Sequence, residues 1–274
     1  MSLRRCLCQH VEDLAKKILR APGDPDILFG DDPLRMMRAA RFASQLGFTL
    51  DESITQSMIR MAQRITIVSA ERVHDELIKL LMSPNPRLGL TVMVETGLAQ
   101  YVLPELPQLK LEVDEHHHHK DVYEHTLTVL DQAIAHEDRL GGPNLVIRLA
   151  ALLHDIGKPK TRELIPGGGV SFHHHEVVGS RMAKERLRAL RFDNQTIHDV
   201  SQLVFLHLRF HGYAGGEWTD SAVRRYVRDA EHLLEHLHVL TRADCTTRNQ
   251  RKAAALAATQ AEVPVELSED TQGE

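Results

Sequence analysis

Apolar residues recur along the first hundred positions at spacings of three and four, the period of an α-helix with one buried face. Leu34, Met37, Ala40 or Arg41, and Ala43-Ser44 fall on such a face and predict a helix over 31–48. Asp31-Asp32-Pro33 starts it, with proline early in the first turn, and Gly47 stops it. A second helix is expected over 51–65, entered through Asp51. A third spans 69–83, with Val73, Leu77, Leu80 and Leu81 on one face, and a fourth runs from 85 to a stop at Gly97. The two prolines in 101–113 mark a linker.

The pattern resumes from about Asp121 to 137, then over 143–158 with Pro143 at the start and Gly157 at the stop. A glycine-rich turn precedes a helix from about His175 to 190, and further helices are expected over 193–212, 219–230 and 232–249. No stretch shows the strict alternation of a half-buried strand. The predicted class is all-α, a helical neck region followed by a helical bundle. Residues 251–274 are acidic and poor in large apolar groups, the composition of a disordered tail.

Composition agrees with helix on helix. Aromatics are 4% of the 274 residues, and the 42% apolar and 26% charged content is that of a globular chain. A net charge of −5 gives no global attraction for nucleic acid, though a local basic face remains compatible with it. No apolar run is long enough for a bilayer and no leader is recognisable, so a cytoplasmic protein with no membrane partner is expected. Cys6, Cys8 and Cys245 lack the spacing of a disulfide framework, and Cys6 and Cys8 lack enough nearby ligands for zinc. Eighteen histidines are the anomaly, and many lie between His116 and His211.

His154-Asp155 ends a run, Leu149 to Leu153, that is apolar nearly all round and therefore core. A carboxylate buried there without a partner costs several kcal/mol. A divalent cation accepts both imidazole nitrogen and carboxylate oxygen, and adjacent residues at a helix end can share one ion. The plainer alternative is an aspartate that caps a loop beside a core histidine. His125 on the preceding helix and Asp244 on the last one, again after apolar stretches, weigh against an isolated pair.

The series His125, His154-Asp155 and Asp244, with the string LLHDIGK, resembles the HD superfamily of metal-dependent phosphohydrolases over about 120 residues. The resemblance implies an HD-type helical bundle in which these four residues bind metal. His175, in a His-x-x-x-Gly pattern with Gly179, and His207 fit an extended form that holds two ions. It therefore implies one or two divalent ions (Mg, Mn, Fe or Ni), with His154 and Asp155 at the chemistry. Lys158, just past the doublet, is placed to meet a phosphate and is grouped with them; Arg209 and Arg242 are further candidates for phosphate, as are Arg224 and Arg225. His173, His174 and His211 read as satisfied polar neighbours, and His116 to His119 as a solvated tract.

The segment LFGDDPLRMMRAARFASQLGF, followed by SAERVHDELIKLL, resembles the neck of the tRNA nucleotidyltransferase and poly(A) polymerase family, specifically its bacterial CCA-adding members. The likeness runs from about residue 20 to 250. It implies that Asp31, Asp32 and Arg35 correspond to the acidic-acidic-x-x-Arg segment, with Asp32 and Arg35 reading a nucleotide base by its hydrogen-bonding edge. The structural alternative for the two aspartates is a favourable charge at a helix start. The family's polymerase head, with its Gly-Gly-x-x-Arg-Asp loop and metal-holding Asp-x-Asp pair, is not recognised, and residues 1–19 are too few to form one. The expectation is a headless member: neck over 1–112, HD domain over 113–250, tail over 251–274. Its expected activity is phosphohydrolysis of nucleotides or RNA 2′,3′-phosphate ends, without nucleotide transfer. The alternative is a non-hydrolytic module that grips tRNA or other RNA around a structural or vestigial metal. Nucleotides are expected partners on either reading, and homo-oligomerisation is left open.

Overall fold

The computed structural model describes residues 11–110, 121–165, 170–209 and 220–245. The described chain is built almost wholly of helices, which group into two compact units. One holds residues up to Pro107 with Ala189–Arg191, and the other holds Gln108–Arg188 and the residues from Phe192 onward.

In the first unit, α1 (Pro25–Asp31) begins at Asp24, whose side chain accepts from the Asp26 N–H. This helix was not foreseen, and the helix expected from residue 31 starts later. Asp32 ends α1, and its carboxylate accepts from the Leu34 N–H to open α2 (Leu34–Leu46). Asp24-Pro25-Asp26 does carry a bare Asp-x-Asp spacing, but its carboxylates are taken up locally: Asp24 caps α1 and Asp26 pairs with Arg60 at 2.8 Å. Gly47 closes α2 with φ of 65°, as expected. Helices α3 (Glu52–Met61), α4 (Ala70–Leu81) and α5 (Pro86–Glu95) follow, α3 capped by Asp51 and α4 by Ser69.

Met36, Met37 and Ala40 of α2, Leu77 and Leu80 of α4 and Leu90 and Met93 of α5 form the core of this unit. The α2–α5 approach is close because Gly89 has no side chain. A Cβ there would meet Ser44 Oγ and the Ala40 carbonyl, and the Gly89 N–H instead donates to Ser44 Oγ at 2.8 Å. The expected linker is not a free connection. Short helix α6 (Ala99–Val102) opens it, and Val102, Leu103 and Leu106 are buried. Two short strands that alternation could not reveal, β1 (Ile18–Leu19) and β2 (Thr49–Leu50), pair in parallel.

The second unit is centred on α8 (Leu145–Leu153), which is buried from Ile147 to Leu153. Helices α7 (Val122–Ala135), α11 (Asn194–Leu206) and α13 (Leu234–Asp244) pack against it. The start of α8 is capped by Asn144, which accepts from the Ile147 N–H. The helix ends at His154, before the expected stop. Gly157 is not a left-handed cap, since its φ is −75°; it opens the short α9 (Lys158–Thr161). A small antiparallel hairpin, β3 (Glu163–Leu164) with β4 (Val170–Ser171), leads to α10 (His175–Ala189), and α12 (Asp220–Ala230) precedes α13. No helix among the described residues is long and apolar enough to cross a membrane. Cys6, Cys8, His116 to His119, His211 and the acidic tail lie outside the described residues.

Candidate metal centre

Five helices deliver six side chains to one place. His125 comes from the second turn of α7, His154 and Asp155 from the end of α8, and His175 from the first position of α10. His207 caps the C-terminus of α11 and Asp244 is the last residue of α13. Asp155 is at the centre, with 1% of its side chain exposed. Its Oδ2 lies 3.2 Å from His154 Nε2 and 3.7 Å from His125 Nε2. Its Oδ1 lies 3.3 Å from His175 Nε2 and 4.0 Å from His207 Nε2. Asp244 Oδ1 is 3.0 Å from His125 Nε2 and 3.6 Å from His154 Nε2.

The ligand atoms fall into two trios, His125 with His154 and Asp244, and Asp155 with His175 and His207; within each they lie inside 4.8 Å of one another. All six are nitrogen or oxygen donors, a set suited to divalent ions.

The histidine tautomers give the sharpest test of fit. His154 Nδ1 is 2.8 Å from the Ala151 carbonyl, His175 Nδ1 2.7 Å from that of Phe172 and His207 Nδ1 2.6 Å from that of Val204. A carbonyl only accepts, so each Nδ1 donates and each Nε2 is left with its lone pair. All three Nε2 atoms are buried without a hydrogen-bond partner. Three aligned orphan acceptors around one carboxylate are costly in a closed core. An imidazole that donates one nitrogen to a carbonyl and turns the other inward is the usual arrangement of a metal-ligating histidine. The residues present fit a divalent ion.

Electrostatics follow the same geometry. Burial would raise the Asp155 carboxyl, but His154, when it takes up a proton, and the Lys158 ammonium hold it well below the usual carboxylate range. Burial also opposes charge on His154, yet Asp155 and Asp244 raise it above its ordinary value. His207 is pushed down to about 3, by burial first and then by the charge of His154. Asp244 is held low despite its burial, by the hydrogen bond from His125 and the charge of His154.

Lys158 joins the cluster directly, its Nζ 2.6 Å from Asp155 Oδ2 and 5.7 Å from the centre of the Phe172 ring. Arg209 and Arg242 are engaged elsewhere. Arg209 pairs with Asp229 at 3.0 Å. Arg242 feels Arg139 and Glu235, and its place two residues before Asp244 turns it about 200° around the helix axis from that ligand. His173, His174, Arg224 and Arg225 are exposed. In the first unit, Asp32 also pairs with Arg72 at 3.0 Å, and Arg35 donates to the Leu28 carbonyl at 3.3 Å. Sequence reasoning missed the three anchoring carbonyls. The signal was available for two of them: His154 and His207 each follow an apolar helix end, where carbonyls lack intrahelical donors.

Comparison with known proteins agrees with this geometry. Residues 122–249 match the HD domain family, and residues 47–109 match the family described as the probable RNA and SrmB-binding site of polymerase A. The two matches follow one another along the chain, the polymerase-A-type region first and the HD domain second. It is 34% identical over 239 residues to an A-adding tRNA nucleotidyltransferase of Deinococcus radiodurans, covering 85% of this chain and 53% of the relative. It is 36% identical over 207 residues to a CC-adding tRNA nucleotidyltransferase of Thermus thermophilus, covering 72% and 46%. Among solved structures, the Bacillus stearothermophilus CCA-adding enzyme in complex with CTP shares the fold with a TM-score of 0.58 at 22% identity, over 93% of this chain and 53% of that one. The chain is homologous to tRNA nucleotidyltransferases and corresponds to their C-terminal part. It spans about half the length of the curated relatives it matches.

Proposed function

We propose that the HD domain is a metal-dependent phosphohydrolase acting on nucleotides or RNA 2′,3′-phosphate ends, carried behind the neck of a tRNA nucleotidyltransferase-like protein. The observation that carries this is the trio of buried, unpartnered Nε2 atoms aimed at Asp155. His125, His154 and Asp244 would hold one ion, and Asp155, His175 and His207 a second. When bound, a divalent ion such as Mg, Mn, Fe or Ni would supply Lewis acidity, lowering the pKa of a water and polarising a phosphoryl oxygen.

The chain's own groups do the rest. Asp155 orients the cluster by facing four imidazoles. Lys158, one-fifth exposed, lies where the buried cluster meets solvent and would meet a phosphate oxygen there. Arg209 and Arg242 have no part in this reading. The organisation that goes with it is a neck over 1–112, an HD domain over 113–250 and a tail beyond. In the neck, Asp32 and Arg35 would contact a nucleotide, at the expense of the contacts they make with Arg72 and the Leu28 carbonyl.

The test is metal analysis of the purified chain with hydrolysis of bis-p-nitrophenyl phosphate and 2′,3′-cyclic nucleotides, before and after Asp155→Ala. Bound metal together with hydrolysis lost in the variant is the expected result. A chain that takes no Mg, Mn, Fe or Ni and cleaves neither probe sinks the reading. A second reading is a non-hydrolytic module that grips tRNA. The match over residues 47–109 and the relatives' names favour it. Metal-bound protein that binds tRNA without hydrolysis would select it.

A further inference from the structure

Gly157 and Gly179 meet where α10 crosses the turn that carries the ligands His154 and Asp155. A Cβ on Gly157 would overlap the carbonyl oxygen of His175 and approach the Gly179 amide nitrogen to 2.8 Å. These two atoms are the acceptor and donor that helix geometry joins in the first turn of α10. Gly157 therefore lies flat against that hydrogen bond. Its φ of −75° needs no glycine, so only the space does. Gly179 is tight in a milder way: a Cβ there would lie 3.3 Å from the Gly157 nitrogen, 3.4 Å from Val204 Cγ1 and 3.6 Å from the His154 carbonyl.

The residues behind these contacts are unevenly shared between the two trios. Gly157 abuts the backbone of His175 itself. Gly179 abuts Val204, whose carbonyl fixes the His207 ring, and more loosely the His154 carbonyl, the one contact on the first trio. His175 and His207 are the two histidines that complete the trio around Asp155. His125 and Asp244, from α7 and α13, supply none of the three atoms nearest to either glycine's Cβ position.

We infer that the Gly157–Gly179 contact is the positioning element for the second ion: it sets how far His175 and His207 reach toward Asp155, and leaves the His125–His154–Asp244 trio to bind on its own. The inference rests on the two-ion form of the reading above. A methyl group at 157 would lift the start of α10 and draw His175 Nε2 away from Asp155 Oδ1, now 3.3 Å distant.

The experiment is a titration of the full chain with Mn²⁺ alone, followed by calorimetry and by the spin-coupling signature of a Mn²⁺ pair. The unmodified chain should take two ions. Gly157→Ala should keep one ion at unchanged affinity and bind the second at least about tenfold more weakly, with the coupled signal lost. Gly179→Ala should weaken the second ion by a few-fold without lowering the thermal midpoint, because alanine is the better helix former. Two ions at unmodified affinity in Gly157→Ala, or equal loss of both, would overturn the inference and leave the metal site standing. If Gly157→Ala does not fold, Gly179→Ala decides, and an unchanged second ion there overturns it. An unmodified chain that takes one ion also overturns it, whereas one that takes none sinks the functional reading itself.

Discussion

The two ends of α8 bury a carboxylate in opposite ways. At the N-terminal end Glu137 is fully answered. It receives Arg148 Nε at 2.6 Å and Nη2 at 2.7 Å, and the Asn144 N–H at 3.0 Å. Arg148 and Glu137 are 3% and 5% exposed, so this is a closed bidentate pair. At the C-terminal end Asp155 is as deeply buried and receives Lys158 Nζ at 2.6 Å, but around it stand imidazole nitrogens, three of them without any hydrogen bond. Both carboxylates have a cationic partner, but only the second is ringed by acceptor nitrogens that nothing in the fold answers. That difference between a closed ion pair and a cluster with open acceptors separates scaffold from site, and a single nine-residue helix spans the two.

The comparison breaks if the two ends respond alike to mutation. The largest expected effect is Asp155→Ala: affinity for the ion held with His175 and His207 should fall about 100-fold or more, since even outer contacts of metal ligands are worth about 10–100-fold. Circular dichroism of the same variant should still show a folded helical protein. Arg148→Met should do the reverse. It strands Glu137 in the core and should cost about 3–5 kcal/mol in denaturant unfolding, with metal stoichiometry kept in the fraction that remains folded. Equal loss of metal in both variants would remove the distinction.

The pH response sharpens it. The Asp155 and Asp244 carboxylates raise His154 above its ordinary value, and a ligand must be neutral to bind metal. Metal affinity should therefore fall as pH drops through that raised value, by about tenfold per pH unit for one displaced proton. A flat affinity from pH 8 to 5.5 would argue that His154 is not a ligand. The smallest effect belongs to the cap. Asn144→Ala removes the acceptor for the Ile147 N–H and should cost about 1 kcal/mol in thermal unfolding, with metal binding unaltered.

Much of the molecule was legible in its periodicity. The helices through Leu77 and Leu80, through His125 and up to His154 follow from apolar spacing, because a buried helical face imposes that spacing wherever it packs. Boundaries held where a local side chain fixed them, as at Asp51, Ser69, Gly47 and Asp193, the last accepting from the Thr196 N–H. They slipped where two signals competed. Asp31-Asp32-Pro33 reads as one helix start, yet it joins two helices, because Asp32 ends the first and opens the second. The two-residue strands escaped because period-two alternation needs more residues than they contain.

By itself the sequence determined the helical class, the six candidate ligands and the likeness to an HD domain behind a nucleotidyltransferase neck. These rest on residue type and spacing, which are local. Only the tertiary structure decided that the ligands converge on Asp155 in two trios and that three imidazoles turn their lone pairs inward. It also decided that Lys158 reaches Asp155 while Arg209 pairs with Asp229, and that Gly157 is required for close packing and not for a turn. Each of these depends on atoms brought together from helices far apart in the chain. Spacing along a helix says which way a residue faces, and packing alone says what it meets there.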